Sequence, residues 1–295
     1  MDSPVISIIC AFYNTGPKLL DMIKSIYSQT FSDWELILLN DGSTDDSLQI
    51  AKSVNDVKIH VYDNGCNLGR AASRNQLVKL AKGQYIALMD ADDMSATTRL
   101  QKQYELLQSN LQLDVVGTGI CYPNNSDIPV GQWIPSIKHD VICANPERTF
   151  GICHGSIMAR KEWFGLFPYN SKIKLAEDYD LFLSAYKQSK FGNVPEPLYY
   201  YRLDPSYNLK KQLHSRYCVA KVLFYHYRKN EQWNKIITCW LVQFVKALIT
   251  VVMFVLGQRS KLMSKRYNKL TEEQFILHKR EIQKIKETQL PLKVI

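Results

Sequence analysis

The sequence predicts an α/β domain with a mostly parallel sheet and helices on both of its faces, followed by a helical carboxyl-terminal region. Through residues 1–90, short apolar runs rich in β-branched side chains alternate with segments of helical spacing. This βαβαβαβ order is typical of a parallel sheet with right-handed crossover helices. A second apolar segment, residues 236–256, lies outside the alternation. The alternating half is expected to bind a nucleotide at the carboxyl ends of its strands.

The individual elements follow from the apolar pattern. Strands are predicted over residues 5–11, 34–39, 57–62, 84–89 and 115–120, and helices over residues 17–28, 44–54 and 69–82. A further helix is predicted after Leu175, because apolar and aromatic residues recur there at i, i+3, i+4 and i+7. Residues 122–150 contain four prolines and little periodicity, which predicts a long loop at the rim of a pocket. The main domain is expected to close near residues 201–207, which divides the chain into residues 1–207 and 208–295.

Carboxylates follow the fourth strand directly, in the run Asp90-Ala91-Asp92-Asp93. Since alternate residues of an extended chain point the same way, Asp90 and Asp92 are expected to face one ligand while Asp93 points elsewhere. Two facing carboxylates repel each other unless a cation lies between them. Mg²⁺ or Mn²⁺ carried in with a diphosphate would supply that charge. Asp93 or Ser95 is expected to cap the helix that follows.

The apolar segment at residues 236–256 carries one charge, Lys246, and its length matches a bilayer. Residues 257–295 hold ten Lys and Arg against four Glu, which is +6 of the net charge of +9. A spanning helix would export this basic tail against the positive-inside rule. We therefore expect a peripheral or monotopic helix in the cytoplasmic leaflet, with basic neighbours on an anionic membrane surface. The alternative is a buried helix of a small soluble subdomain.

Cysteine usage and the amino terminus bear on location. The seven cysteines show no CxxC pair and no regular spacing, which indicates reduced thiols rather than disulfides or a zinc site. The amino terminus lacks the basic start and cleavage site of a signal peptide. The main domain is therefore expected at the cytoplasmic face of the cell membrane.

Five motifs occur in a fixed order along the first two hundred residues. They lie at residues 5–14, 40–45, 67–75, 90–93 and 176–180. This order resembles that of the family 2 glycosyltransferases, inverting enzymes of the GT-A fold that use nucleotide sugars. The resemblance implies a nucleotide-sugar donor, a UDP-sugar above others, and a saccharide or lipid-linked saccharide acceptor in surface polysaccharide synthesis. The QxxRW motif of processive relatives is absent, which indicates transfer of a single sugar.

The same resemblance implies roles for eleven residues. The nucleotide-sugar-binding residues are Ala11 and Tyr13 at the base, Asp41 at the uracil imide, Arg70 and Arg74 at ribose or diphosphate, Asp90 at ribose and the metal region, and His154 beside the donor sugar. Asp92 is the implied ligand of Mg²⁺ or Mn²⁺, and Asp204 stands where relatives often have a histidine ligand. Glu177 and Asp178 match the acidic pair that supplies the catalytic base. We favour Asp178 as the base, because a helix amino end favours its anion.

Structural roles stay open for several of these residues. Asp41 precedes Gly42 and suits a turn, and exposed arginines are ordinary on a solvated helix face. Acidic residues such as Glu177 stabilise a first helical turn, and a lone histidine such as His154 is more often structural than catalytic.

The sequence supports other functions less well. A polyprenyl-phosphate sugar synthase shares the chemistry but usually carries clearer transmembrane helices. A nucleic-acid-binding protein would suit the pI near 9.0, yet the positive charge gathers beside an apolar segment rather than among aromatics spaced for base stacking. We therefore expect no nucleic-acid partner. A dehydrogenase is disfavoured because no GxGxxG follows the first strand.

Overall fold

A computed structural model of the protein describes residues 3–203, 208–258 and 267–293. Its strands are β1 (Ile6–Phe12), β2 (Trp34–Asn40), β3 (Ile59–Asp63), β4 (Tyr85–Leu88), β5 (Met94–Ser95), β6 (Val115–Pro123), β7 (Pro129–Trp133), β8 (Met158–Arg160) and β9 (Phe191–Tyr200). Its helices are α1 (Lys18–Tyr27), α2 (Ser47–Ser53), α3 (Arg70–Leu80), α4 (Arg99–Ser109), α5 (His139–Ile142), α6 (Lys161–Leu166), α7 (Glu177–Ala185), α8 (Leu209–Lys229), α9 (Trp233–Val255) and α10 (Glu272–Glu287). A 3-10 turn spans His154–Ser156.

The described strands join in a nine-stranded mixed sheet. Its order is β3-β2-β1-β4-β8-β6-β9-β5, and β7 pairs with β6. The pairs β1–β2, β1–β4 and β2–β3 are parallel, which confirms the predicted βαβ half. In the other half, β8 runs antiparallel between β4 and β6, while β9 is parallel to β6. The carboxyl ends of β1, β2 and β4 therefore meet at one edge of the sheet.

Helices cover both faces of the sheet, as predicted. Alternate residues of β1 point to opposite sides, so Ile6 and Ile8 join one core and Ile9 joins the other. The first core also takes apolar residues from α1, α4 and α10. The second takes residues from α3, α6, α7 and α8, together with Ile236 and Cys239 of α9.

The predicted long loop over residues 122–150 is wrong in part. β6 continues to Pro123, β7 returns antiparallel beside it, and α5 follows. β7 is five residues long and begins with a proline, so it leaves almost no periodic signal. β8 and β9 also have no counterpart in the predicted elements. β8 is only three residues long, and β9 contains two prolines.

The carboxyl-terminal helices do not form one uniform layer. α9 packs against α8, and it is the helix within the described ranges that is long and apolar enough to cross a membrane. Only 22 % of its apolar window is buried, which contradicts the alternative of a buried helix. α10 instead packs on α1 of the main domain and buries Ile282 and Ile285 there.

Candidate active site

A cavity of about 650 Å³ opens at the carboxyl ends of β1, β2 and β4. Seven of the eleven predicted site residues line it: Ala11, Tyr13, Asp41, Arg70, Arg74, Asp90 and Asp92. A second cavity of about 380 Å³ adjoins it and is lined by His154, Glu177 and Asp178. Arg70, Arg74 and Asp90 belong to both walls. The fold thus brings together ten of the eleven residues, and the eleventh, Asp204, lies outside the described residues.

Tyr13 and Asp41 follow β1 and β2 and both line the larger cavity, but they differ in exposure. The Tyr13 ring is 49 % exposed, whereas Asp41 is buried. The Asp41 carboxylate accepts hydrogen bonds from the Leu68 N–H (2.9 Å), the Gly69 N–H (3.0 Å) and the Ser73 hydroxyl (2.8 Å). Asp41 therefore organises the start of α3 as well as lining the cavity.

The acidic run makes a turn instead of extending β4. The Asp93 N–H donates to the Asp90 carbonyl at 3.3 Å, which closes the turn. The expectation based on extended backbone was therefore wrong in its geometry, although Asp90 and Asp92 both line the larger cavity. Asp93 is buried and its Oδ1 accepts the Arg202 N–H at 2.8 Å. The capping prediction was also wrong: Ser95 belongs to β5, and α4 begins only after Thr98.

The residues on this turn suit a hard divalent cation. Partial burial raises the pKa of Asp92, and the negative charge of Asp90 raises it further. A cation between the two carboxylates would relieve that repulsion, and their oxygens are the ligand type that Mg²⁺ and Mn²⁺ prefer. Among the described residues, no group of three or more His, Cys, Asp or Glu side chains forms a complete site. Phosphate oxygens of a bound donor would have to complete the ligand set.

Arg74 links the two cavities. One guanidinium nitrogen donates to Glu177 Oε1 at 2.7 Å and the other to Asp90 Oδ1 at 3.2 Å. Burial acts to lower the pKa of Arg74, but Tyr169, Asp90 and Glu177 raise it overall, so the side chain is a permanent cation. Arg70 is half exposed, with its Nε 3.3 Å from Glu177 Oε1. It is the more accessible of the two for a ligand phosphate.

The two acidic residues at the start of α7, Glu177 and Asp178, differ in their contacts. Both residues line the smaller cavity, after Ala176 turns the chain with a φ of 69°. Glu177 is buried and held by both arginines, and its Oε2 has no hydrogen-bond partner among the described residues. Burial raises the pKa of Asp178, and the charge of Glu177 adds to this. The expected effect of the helix end is therefore outweighed, and Asp178 becomes a stronger base than an ordinary aspartate.

His154 occupies the wall of the smaller cavity in a neutral form. Its Nε2 shares a 2.8 Å hydrogen bond with the Tyr169 hydroxyl. Burial lowers the pKa of His154 well below its usual value, and the positive charges of Arg74 and Arg70 lower it further. The ring is thus held by a structural partner while it faces the cavity.

Three residues that sequence reasoning missed also shape the site. Lys18 and Arg202 line the larger cavity. Arg99 is fully buried, and its guanidinium donates to the Leu88 carbonyl at 2.7 Å and the Ser156 carbonyl at 3.2 Å. It thereby ties the end of β4 to the turn that contains His154. Burial lowers the pKa of Arg99 to about 10. The burial of Arg99 could not be predicted from the neighbouring residues in the sequence, which are mostly polar.

Comparison with known proteins shows the family of the chain. The family model described as glycosyl transferase family 2 matches residues 7–165, which is more than half of the chain. EpsE of Bacillus subtilis, which bears a glycosyltransferase name, is 36 % identical over 208 residues, covering 68 % of this chain and 74 % of EpsE. The chain therefore belongs to glycosyl transferase family 2 and is a glycosyltransferase, which confirms the predicted family.

Two further proteins extend the comparison. WfaP of Escherichia coli, named as a UDP-Glc:alpha-D-GlcNAc-diphosphoundecaprenol beta-1,3-glucosyltransferase, is 36 % identical over 105 residues, covering 36 % of this chain and 42 % of WfaP. The mannosyltransferase PcManGT from Pyrobaculum calidifontis, solved with GDP-Man and Mn²⁺, superimposes with a TM-score of 0.59 at 14 % identity, covering 97 % of this chain and 87 % of PcManGT. That likeness shows the fold, and the sheet described above is a GT-A fold.

Proposed function

We propose that this protein is an inverting glycosyltransferase that moves one sugar from a UDP-sugar to a saccharide or lipid-linked saccharide in surface polysaccharide synthesis. The observation that carries the proposal is the pair of adjoining cavities. The acidic turn lies in the larger cavity and Asp178 in the smaller one, with Arg74 and Asp90 in the wall between them. A donor and an acceptor can therefore meet at that wall.

The donor would occupy the larger cavity. Tyr13 offers an aromatic face to the base, and Arg70 offers a cation to the diphosphate. Asp90 and Asp92 would hold Mg²⁺ or Mn²⁺, which as a Lewis acid supplies charge stabilisation to the departing nucleoside diphosphate. The names of WfaP and PcManGT support a nucleotide-sugar donor, and the Mn²⁺ bound to PcManGT supports use of a divalent metal.

The acceptor would occupy the smaller cavity. Asp178 accepts the proton of the acceptor hydroxyl, whose oxygen then attacks the anomeric carbon as the bond to the diphosphate breaks. A single displacement of this kind inverts the anomeric configuration. Glu177 is already held by Arg74 and Arg70, so it keeps the arginines in place rather than taking the proton.

The acceptor class and the location are proposed together. The name of WfaP gives a diphosphoundecaprenol-linked acceptor, and α9 presents a broad exposed apolar surface. We place the protein at the cytoplasmic face of the cell membrane, with residues 1–207 as the catalytic domain and with α9, within residues 208–295, as the membrane-associating helix. The anionic headgroups would contact its basic residues.

The decisive experiment measures release of UDP or GDP from a panel of nucleotide sugars with Mn²⁺, with and without lipid-linked acceptors. We expect Asp178→Asn to lose about 10²–10⁴-fold in transfer while it still binds UDP, because the general base is removed. Asp92→Asn should lose both turnover and metal-dependent UDP binding. Asp180→Asn, the same change on the same helix but outside both cavity walls, is the control. Full activity of Asp178→Asn would refute the assignment of the base.

A further inference from the structure

Arg202 is a buried arginine two residues after the end of β9, and it contacts the acidic turn twice. Its backbone N–H donates to Asp93 Oδ1 at 2.8 Å, and its Nη1 donates to the Asp92 carbonyl at 3.0 Å. Its side chain is 4 % exposed. These contacts hold Asp92 and Asp93 in the wall of the larger cavity, so the direction of the Asp92 carboxylate depends on the position of Arg202.

Two carboxylates from distant parts of the chain fix the Arg202 guanidinium. Asp21 of α1 accepts from Nη2 at 2.6 Å. Asp127, in the turn between β6 and β7, accepts from Nε at 2.7 Å and from Nη2 at 3.1 Å. A two-pronged pair of this kind fixes orientation as well as position. Arg202 therefore has little rotational freedom left.

The same network reaches the carboxyl-terminal helix. Lys286 of α10 forms an ion pair with Asp127 on the oxygen that also accepts from Arg202 Nη2. α10 is itself anchored on the main domain, because Glu281 Oε1 accepts from the N–H (2.8 Å) and hydroxyl (2.7 Å) of Thr97. A continuous chain of contacts thus runs from α10 through Asp127 and Arg202 to the acidic turn.

We propose that Arg202 is a positioning residue for the cation-binding carboxylates, and that Asp127 and Lys286 hold it in place, so that α10 contributes to the donor site. The inference rests on the proposed function, since it takes Asp92 as the ligand of the donor's cation. Residues that orient metal ligands commonly change metal affinity when they are replaced. A purely structural ion network would instead change only the stability of the fold.

The test measures binding of Mn²⁺ to the full chain with UDP present, by electron paramagnetic resonance of the free ion, together with the Mn²⁺ concentration for half-maximal turnover. Arg202→Lys keeps the charge but cannot span its partners, and we expect it to weaken Mn²⁺ binding by about tenfold. Asp127→Asn and Lys286→Met should weaken it in the same direction by less. The loss should fall on the half-saturating concentration more than on kcat at saturating Mn²⁺.

Lys284→Met is the matched control, because Lys284 is exposed on the same helix and lies outside the network. It should bind Mn²⁺ like the wild type. If Arg202→Lys does not fold, Asp127→Asn and Lys286→Met carry the test, since both lie farther from the core. If these variants bind Mn²⁺ like the wild type and differ only in a lower melting temperature, the inference is wrong but the proposed metal site still stands. A wild-type protein that binds no Mn²⁺ with UDP would overturn the proposed metal site and this inference together.

Discussion

Gly155 lies where a side chain would collide with the acidic turn. A Cβ atom on this residue would lie 2.5 Å from Asp90 Oδ2 and 2.6 Å from the Tyr199 hydroxyl. The other carboxylate oxygen of Asp90 accepts from Arg74, and the Asp90 N–H donates to the Tyr199 hydroxyl. Arg74 and Tyr199 therefore hold Asp90 against Gly155. A methyl group added at residue 155 would press on the Asp90 carboxylate, because the packing leaves no room for it.

Gly155→Ala is therefore expected to displace Asp90 and to lower metal-dependent turnover by roughly tenfold, in the range seen when support of a metal ligand is lost. Steady-state rates and UDP affinity at several Mn²⁺ concentrations would measure this. Gly165→Ala is the control, since a Cβ there meets nothing within 4 Å and the residue lies in α6. Equal activity of the two variants would show that the close approach of residue 155 to Asp90 does not affect turnover.

At the scale of single elements, α9 is the one whose surface lacks an obvious partner among the described residues. Its window has a mean hydropathy of 2.1, and Phe244 and Leu248 are 67 % and 54 % exposed. The side of α9 that meets the protein is held by Ile236 and Cys239 in the core and by the Lys246 ammonium, which donates to the Arg148 carbonyl at 3.0 Å. The opposite face is wide enough to enter the interfacial layer of a membrane.

The variant Phe244→Glu with Leu248→Glu should weaken binding to anionic vesicles by at least about tenfold, because each apolar side chain adds roughly 1.5–3 kcal/mol when fully buried. Turnover of a water-soluble acceptor should stay close to that of the wild type. Vesicle flotation measures the first quantity. Val57→Glu, at an 85 % exposed apolar residue away from α9, is the control. Full membrane binding by a chain ending at residue 230 would contradict the assignment to α9.

Across the molecule, the carboxyl-terminal segment that contains α10 packs back on the main domain. Leu292 bridges to Val54, and Asn268 bridges to Gln132, so the segments on both sides of α10 lie against the main domain. Ile282 and Ile285 belong to the same core as Ile6. α10 should therefore unfold together with the main domain rather than before it.

Ile285→Ala is expected to lower the free energy of unfolding by about 2–5 kcal/mol, since it leaves a cavity in that shared core. Urea unfolding followed by circular dichroism would give the value and show a single transition for the main domain and α10. Ile276→Ala on the same helix, where the side chain is 40 % exposed, should cost much less. An unchanged midpoint for Ile285→Ala would mean that α10 is only loosely attached.

Local sequence patterns were sufficient to predict the parallel half of the sheet and most of the residues that line the two cavities. β1 is buried on both faces, so its sequence is a nearly continuous apolar run. Such a run predicts a strand without any knowledge of the neighbouring strands. The polar residues that follow β1, β2 and β4 come together because parallel strands bring their carboxyl ends to one edge. The apolar pattern therefore predicts the parallel sheet, and the parallel sheet places Asp41 and Asp90 at the same edge.

The contacts that hold those residues in place could be read only from the folded chain. The ion pair of Arg74 with Glu177 joins residues 103 positions apart, and that of Arg202 with Asp21 joins residues 181 apart. β8 is too short to leave a periodic signal, and the basic composition of the tail does not reveal that α10 packs on the main domain. Periodicity reports which face of an element is buried, whereas contacts between distant segments depend on how the whole chain is packed, and no local pattern carries that information.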